Sequence, residues 1–248
     1  MTRRSPLACA LVAGALAWVP AAAQAGQRPF LWAYDTNIVS TGNLELEQWL
    51  WFKGSSPGTS AQYWVWWSPV VGITRHLEAA VPFQLEDPGT GARLASLDAD
   101  LRWRLFSQDD RGGFQGLVRA AFHRDTALHR SRLDLTLSTS WGDRTDPHVM
   151  LELGAQLAAL SGSQAAPHVG TYDAGVAFPF QNGELQLALE SFGTLRFDGK
   201  LTPDVYAGGS VAWTPGRFWV TLGTLVGLTS PTGPWPRFMP RLTWAVSL

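Results

Sequence analysis

The chain contains one cysteine, Cys9, and only two lysines, Lys53 and Lys200. A lone cysteine at the extreme N-terminus excludes a disulfide framework and a thiolate zinc site for everything after it. Basic residues number 19 against 20 acidic ones, so no strongly cationic surface points to a nucleic-acid partner. No stretch of 18 consecutive apolar residues follows the N-terminus, so no transmembrane helix is expected. Catalytic signatures are also missing. There is no GxSxG nucleophile elbow, and GTG at 89–91 reads as a turn rather than a phosphate-cradling loop. The five histidines, His76, His123, His129, His148 and His168, are scattered. His123 and His129 flank one loop beside Arg124 and Arg130 without a carboxylate cluster, which reads as a solvated loop and not a metal centre. No cofactor and no metal are expected.

What is present begins with an export signal. Arg3 and Arg4 precede the apolar run LACALVAGALAWV (7–19), then Pro20, then Ala23-Gln24-Ala25, a small-x-small cleavage site. Residues 1–25 therefore read as a secretory signal peptide, outside the fold. Residues 26–43 read as a periplasmic lead-in, and 44–248 as one domain, because no linker long enough to divide it occurs.

In that domain hydrophobicity alternates. In SLDADLRWRLF (96–106), Leu97, Ala99, Leu101, Trp103 and Leu105 are apolar, while Asp98, Asp100, Arg102 and Arg104 are charged. Successive side chains of a β-strand point to opposite faces, so this segment has one greasy and one ionic side. RLDLTLSTSW (132–141), VMLELGAQLAA (149–159), ELQLALE (184–190), FWVTLGTLVGL (218–228) and RLTWAVSL (241–248) repeat the pattern. Less regular candidates lie near 44–52, 61–68, 73–83, 114–123, 169–180 and 204–213, making about twelve strands in all. Tight turns are expected at 69–72, 109–112, 143–146, 182–183 and 214–216, and longer loops at 53–60, 85–93, 124–130, 161–167, 196–204 and 230–237.

A soluble sandwich would bury the apolar faces in a core and place its large aromatics mid-strand. Here Trp51, Phe52, Trp67, Phe106, Phe114, Trp141, Phe180, Phe192, Trp213 and Phe218 fall at strand ends, where the aromatic girdles of membrane barrels sit, and the chain carries 13 tryptophans. The expected fold is an all-β, up-and-down antiparallel transmembrane barrel in the Gram-negative outer membrane, with apolar faces toward lipid. The inward faces then carry Asp98, Asp100, Arg102, Arg104, Arg119, Arg132, Asp134 and Glu152 on one wall. The opposite wall is small: Gly208, Ser210, Ala212, Thr221, Gly223, Gly227, Ala245 and Ser247. That pairing leaves room for water and solute.

LELE (44–47), VVGITRHLEAAVPF (70–83), LDADLRWRLF (97–106) and VAWTPGRFWVTLGTLVGLT (211–229) resemble the phenol-degradation meta-pathway outer-membrane protein family. His76 and the terminal Leu248 depart from that family's pattern. The resemblance implies passive or facilitated passage of small, often hydrophobic or aromatic molecules. The partners expected are outer-membrane lipid, a small-molecule solute and the barrel-assembly machinery. Function thus reads as an outer-membrane channel with selectivity set by the charged wall. A non-conducting structural barrel closed by a salt-bridged plug is the alternative. A lipid-modifying barrel enzyme comes third, and would need a Ser–His pair facing lipid.

Overall fold

The computed structural model describes residues 28–53, 62–87, 91–109, 112–126, 129–142, 145–158, 169–197, 201–229 and 237–248. The proposed signal peptide and the cores of several long loops lie outside the described residues. Thirteen strands run in chain order: β1 (Leu44–Lys53), β2 (Gln62–Thr74), β3 (Leu77–Ala80), β4 (Phe83–Asp87), β5 (Arg93–Asp109), β6 (Gly112–Asp125), β7 (Ser131–Trp141), β8 (His148–Ala158), β9 (Val169–Phe180), β10 (Leu185–Phe197), β11 (Leu201–Trp213), β12 (Phe218–Gly227) and β13 (Phe238–Ser247).

β3 and β4 are one span interrupted at Val81-Pro82, where the proline has no N–H to give the ladder. The neighbours bridge the gap: the Val81 N–H donates to the Pro69 carbonyl at 3.1 Å and the Asp98 N–H to the Pro82 carbonyl at 2.8 Å. The twelve resulting spans are all antiparallel, and β1 pairs with both β2 and β13, closing the sheet into a barrel. Closure leaves no edge strand unpaired, as a sheet in lipid requires.

The alternation holds through the fold. Leu97, Leu101, Trp103, Leu137, Leu153 and Leu189 are exposed on the outer face, while Asp98, Asp100, Arg102, Asp134, Ser138 and Glu190 are buried inside. Phe52, Trp67, Phe106, Phe114, Trp141, Phe180 and Trp213 are also exposed outward. Trp51 and Phe192 do the opposite: parity turns them inward, where they pack with Tyr206, Leu225 and Met239. The turn expected at 69–72 is absent too. Ser68, Val70 and Gly72 keep facing inward while Val71 and Ile73 face out, so β2 runs on to Thr74 and reverses at Arg75-His76. Pro69 and Gly72 look like turn residues, but the alternation through them is unbroken.

The tight turns after β2, β5, β7, β9 and β11 share one end of the barrel with Asn43 and Leu248, whose N–H donates to the Leu44 carbonyl at 2.8 Å. The longer connections lie at the other end.

Candidate functional site

The barrel interior is occupied by the chain's own N-terminal segment. Residues 28–43, expected as a periplasmic lead-in outside the barrel, contact inward-facing side chains of strands all around the sheet. The Thr221 hydroxyl of β12 donates to the Arg28 carbonyl at 2.5 Å, and the Ser210 hydroxyl of β11 to the Pro29 carbonyl at 2.7 Å. Arg28 pairs with Glu47 of β1. The Asp35 carboxylate meets His148 Nε2 of β8 at 3.0 Å, the Thr36 hydroxyl bonds Ser140 of β7, and the Val39 N–H donates to Glu78 of β3 at 2.6 Å. One short segment can reach these six strands around a closed barrel only from within it.

The chemistry of the segment explains why it is there. RPFLWAYDTN (28–37) is too rich in large apolar and aromatic residues to lie in water, and Phe30, Leu31, Ala33 and Val39 are nearly fully buried. Its backbone bends at Leu31–Ala33. There the N–H groups of Leu31, Trp32 and Ala33 all converge on the Glu190 carboxylate at 2.9 Å. Successive N–H groups around a bend form an anion-binding nest, and Glu190 fills it.

Gly223 of the small wall, together with Gly175 of β9 and Gly72 of β2, forms the bed for this plug. A Cβ built on Gly223 would lie 2.8 Å from Leu31 Cδ1, and one on Gly175 would run into the Phe30 ring. Over Gly72 the carbonyls of Val39 and Ser40 pass too close for any side chain. The space that these positions leave free is filled by residues 29–40, and the cavity beside Trp32, Tyr34 and Arg241 is only about 10 Å³.

The eight residues expected on the charged wall divide into two clusters of three and two residues that stand apart. Asp100, Arg102 and Arg119 form an interlocked lattice deep inside. Arg102 pairs with Glu78 at 2.5 Å and with Asp100 at 3.1 Å, and Arg119 pairs with Asp100 at 2.9 Å. Their guanidiniums also clasp the plug: Arg119 lies 4.1 Å and Arg102 4.4 Å from the Tyr34 ring centroid. Nearer the long loops His123 bridges two acids, with Nδ1 2.9 Å from Asp98 and Nε2 2.9 Å from Asp134, and Arg132 pairs with Asp134 at 2.8 Å. Glu152 accepts from the Ser138 hydroxyl at 2.9 Å, on a different sector of the wall. Arg104, half-buried, donates its backbone N–H to His76 near the tight turns.

Sequence reasoning passed over Glu78, Glu190, Asp173 and Asp204, all buried inward. Glu190 is visible as an inward position of ELQLALE, but nothing in one strand tells that a segment 157–159 residues away will sit on it. Ser140 and His148, on neighbouring strands, face the interior and are taken up by Thr36 and Asp35, not turned toward lipid.

No protein-family model matches the chain, and no curated protein is similar to it in sequence. Solved structures do match. A structure of the NanC porin aligns with TM-score 0.58 at 11% identity, covering 83% of this chain and 98% of the porin. The COG4313 outer membrane channel from Pseudomonas putida F1 aligns with TM-score 0.57 at 15% identity, covering 87% of this chain and 99% of the channel. The fold is that of an outer-membrane β-barrel. The translocator domain of the autotransporter NalP from Neisseria meningitidis shares it at TM-score 0.50 and 10% identity, covering 82% of this chain and 87% of the domain. At these identities the likeness is one of architecture. It fits a barrel whose outer face is apolar and whose inner face is ionic, the inverse of a soluble protein.

Proposed function

We propose that this outer-membrane barrel is a channel for small solutes, closed in this structure by its own N-terminal segment. The observation that carries the reading is the lining. Carboxylates, guanidiniums and hydroxyls line the interior, and their side chains hold the plug's backbone at Pro29, Leu31 and Val39, while backbone pairing with a strand is confined to Gly42 and Asn43 against Gly72 where the segment joins β1. Such a segment can leave without unzipping the sheet, and the surface it uncovers is compatible with water.

On this reading the segment enters from the periplasmic end, where tight turns are the rule. Asp98, His123, Asp134 and Arg132 lie toward the outer mouth and are the charges that a solute meets first. Asp100, Arg102 and Arg119 hold the wall and the plug. The aromatic group of Trp51, Trp64, Trp66, Phe192 and Tyr206 supplies an apolar wall, which suits the hydrophobic or aromatic solutes implied by the family resemblance. A closed structural barrel is favoured by one observation, the completeness of the plug's contacts.

Planar-bilayer recording of the refolded protein beside Glu190→Ala decides between them. A channel gated by its plug gives rare openings in the parent and frequent ones in the variant. A structural barrel stays silent in both.

A further inference from the structure

A second sector of the wall carries three acids close together, with Arg196 farther along β10 paired to Asp204. Inward positions on β8, β9 and β10 hold Glu152, Asp173 and Glu190. Glu152 stands directly opposite Asp173 in the ladder, and Asp173 directly opposite Phe192, two residues along from Glu190. Glu152 has the Ser138 hydroxyl, and Glu190 has the plug's three N–H groups. Asp173 is only 2% exposed, and no donor meets either of its carboxylate oxygens; it stands against the Glu190 carboxyl, with the Arg241 guanidinium as the cation that acts on both. Close by, the Tyr206 hydroxyl is equally enclosed and equally unpartnered. The Tyr206 ring stacks on Phe192 at 6.1 Å, and Phe192 meets Trp32 at 4.7 Å. Carboxylates and ring faces thus converge on one place.

Burying a carboxylate with no donor is expensive. Carboxylates and aromatic faces share a preferred partner: a cation with N–H groups, held by charge-assisted hydrogen bonds and by cation–π attraction. The interior already accommodates such groups. The Arg241 guanidinium lies 4.6 Å from the Trp32 centroid and 4.8 Å from that of Trp49. What the plug offers Glu190 is itself a set of N–H donors.

We infer that Glu152, Asp173, Glu190 and Phe192 form a binding site for a small organic cation, an amine or a guanidinium, and that among the solutes the lumen takes are cations whose apolar bodies suit its aromatic wall. The N-terminal segment occupies part of the site, its N–H groups at 31–33 standing where the donors of the solute belong. That the bound cation is also carried rests on the channel reading; the binding does not.

The test uses the full chain refolded in detergent, with arginine amide as probe and glutamate and glucose as controls. Binding beside Trp32 changes tryptophan emission. The expected result is a saturable change with arginine amide alone, weakened about tenfold in Asp173→Asn. If Asp173→Asn fails to refold, Glu152→Gln gives the same readout. An unchanged titration in the folded variant, or an equal response to glucose or glutamate, overturns the site and leaves carboxyl groups that merely share a proton. Reversal potentials in a KCl gradient separate the two readings. Anion selectivity overturns a lumen that takes cations and keeps the channel, whereas saturable binding without conductance supports the site and overturns the channel.

Discussion

Glu190 Oε2 accepts the Leu31 N–H, and Glu190 Oε1 accepts those of Trp32 and Ala33, each at 2.9 Å. One carboxylate on β10 therefore fixes the bend of the plug. Hydrogen bonds to a charged acceptor are worth about 1.5–3 kcal/mol each, and Glu190→Ala removes all three at once while leaving three buried donors unmet. The expected outcome is a plug released within an intact barrel. Amide exchange at 31–33 should accelerate at least about tenfold, with the strand amides unchanged.

Release by sterics should match release by charge. Gly175→Leu places a side chain where the Phe30 ring lies, without altering any ionisable group. Chymotrypsin reports the result: the Phe30–Leu31 bond, enclosed in the parent with Phe30 only 2% exposed, becomes cleavable in the variant. Resistance equal to the parent would mean that Phe30 can repack around a larger neighbour.

The charged wall should prove energetically uneven. Arg102 is enclosed between Glu78 and Asp100, so Arg102→Met strands two buried carboxylates and should cost about 3–5 kcal/mol in urea unfolding from detergent. Arg132, with its side chain 45% exposed, should cost at most about 1 kcal/mol as Arg132→Ala. Equal losses would contradict the division into a deep lattice and an open mouth.

Leu137 is 52% exposed at the middle of β7, on the face assigned to lipid. In a bilayer Leu137→Arg should destabilise the barrel by about 2–4 kcal/mol, the cost of a cation near the midplane. A neutral result would mean that this face meets water or a partner.

The strands were legible because alternation is local: each needs only its own residues to declare two faces. Reading the inward parity of Asp98 to Arg104, of Asp134 and of Ser210 required nothing else. Failures came where two local rules disagreed, as in 69–72, where proline and glycine suggested a turn and the pattern of Ser68, Val70 and Gly72 continued a strand. Girdle reasoning likewise took Trp51 and Phe192 for interfacial residues, although parity placed them inside. The plug was harder, because it is defined by contacts between residues up to 193 apart in sequence, such as Thr221 with Arg28. Two traces of it were present: a lead-in too aromatic for water, and a wall of small residues with nothing assigned to pack on it.

Disulfide formation in the refolded barrel tests the plug most directly. The Ser210 hydroxyl touches the Pro29 carbonyl from inside, whereas Val211, its neighbour, faces outward. With Cys9 replaced by serine, Pro29→Cys/Ser210→Cys should cross-link readily on mild oxidation, and Pro29→Cys/Val211→Cys should not. Cross-linking of neither pair, or of both equally, in a folded barrel would contradict an N-terminal segment seated in the lumen.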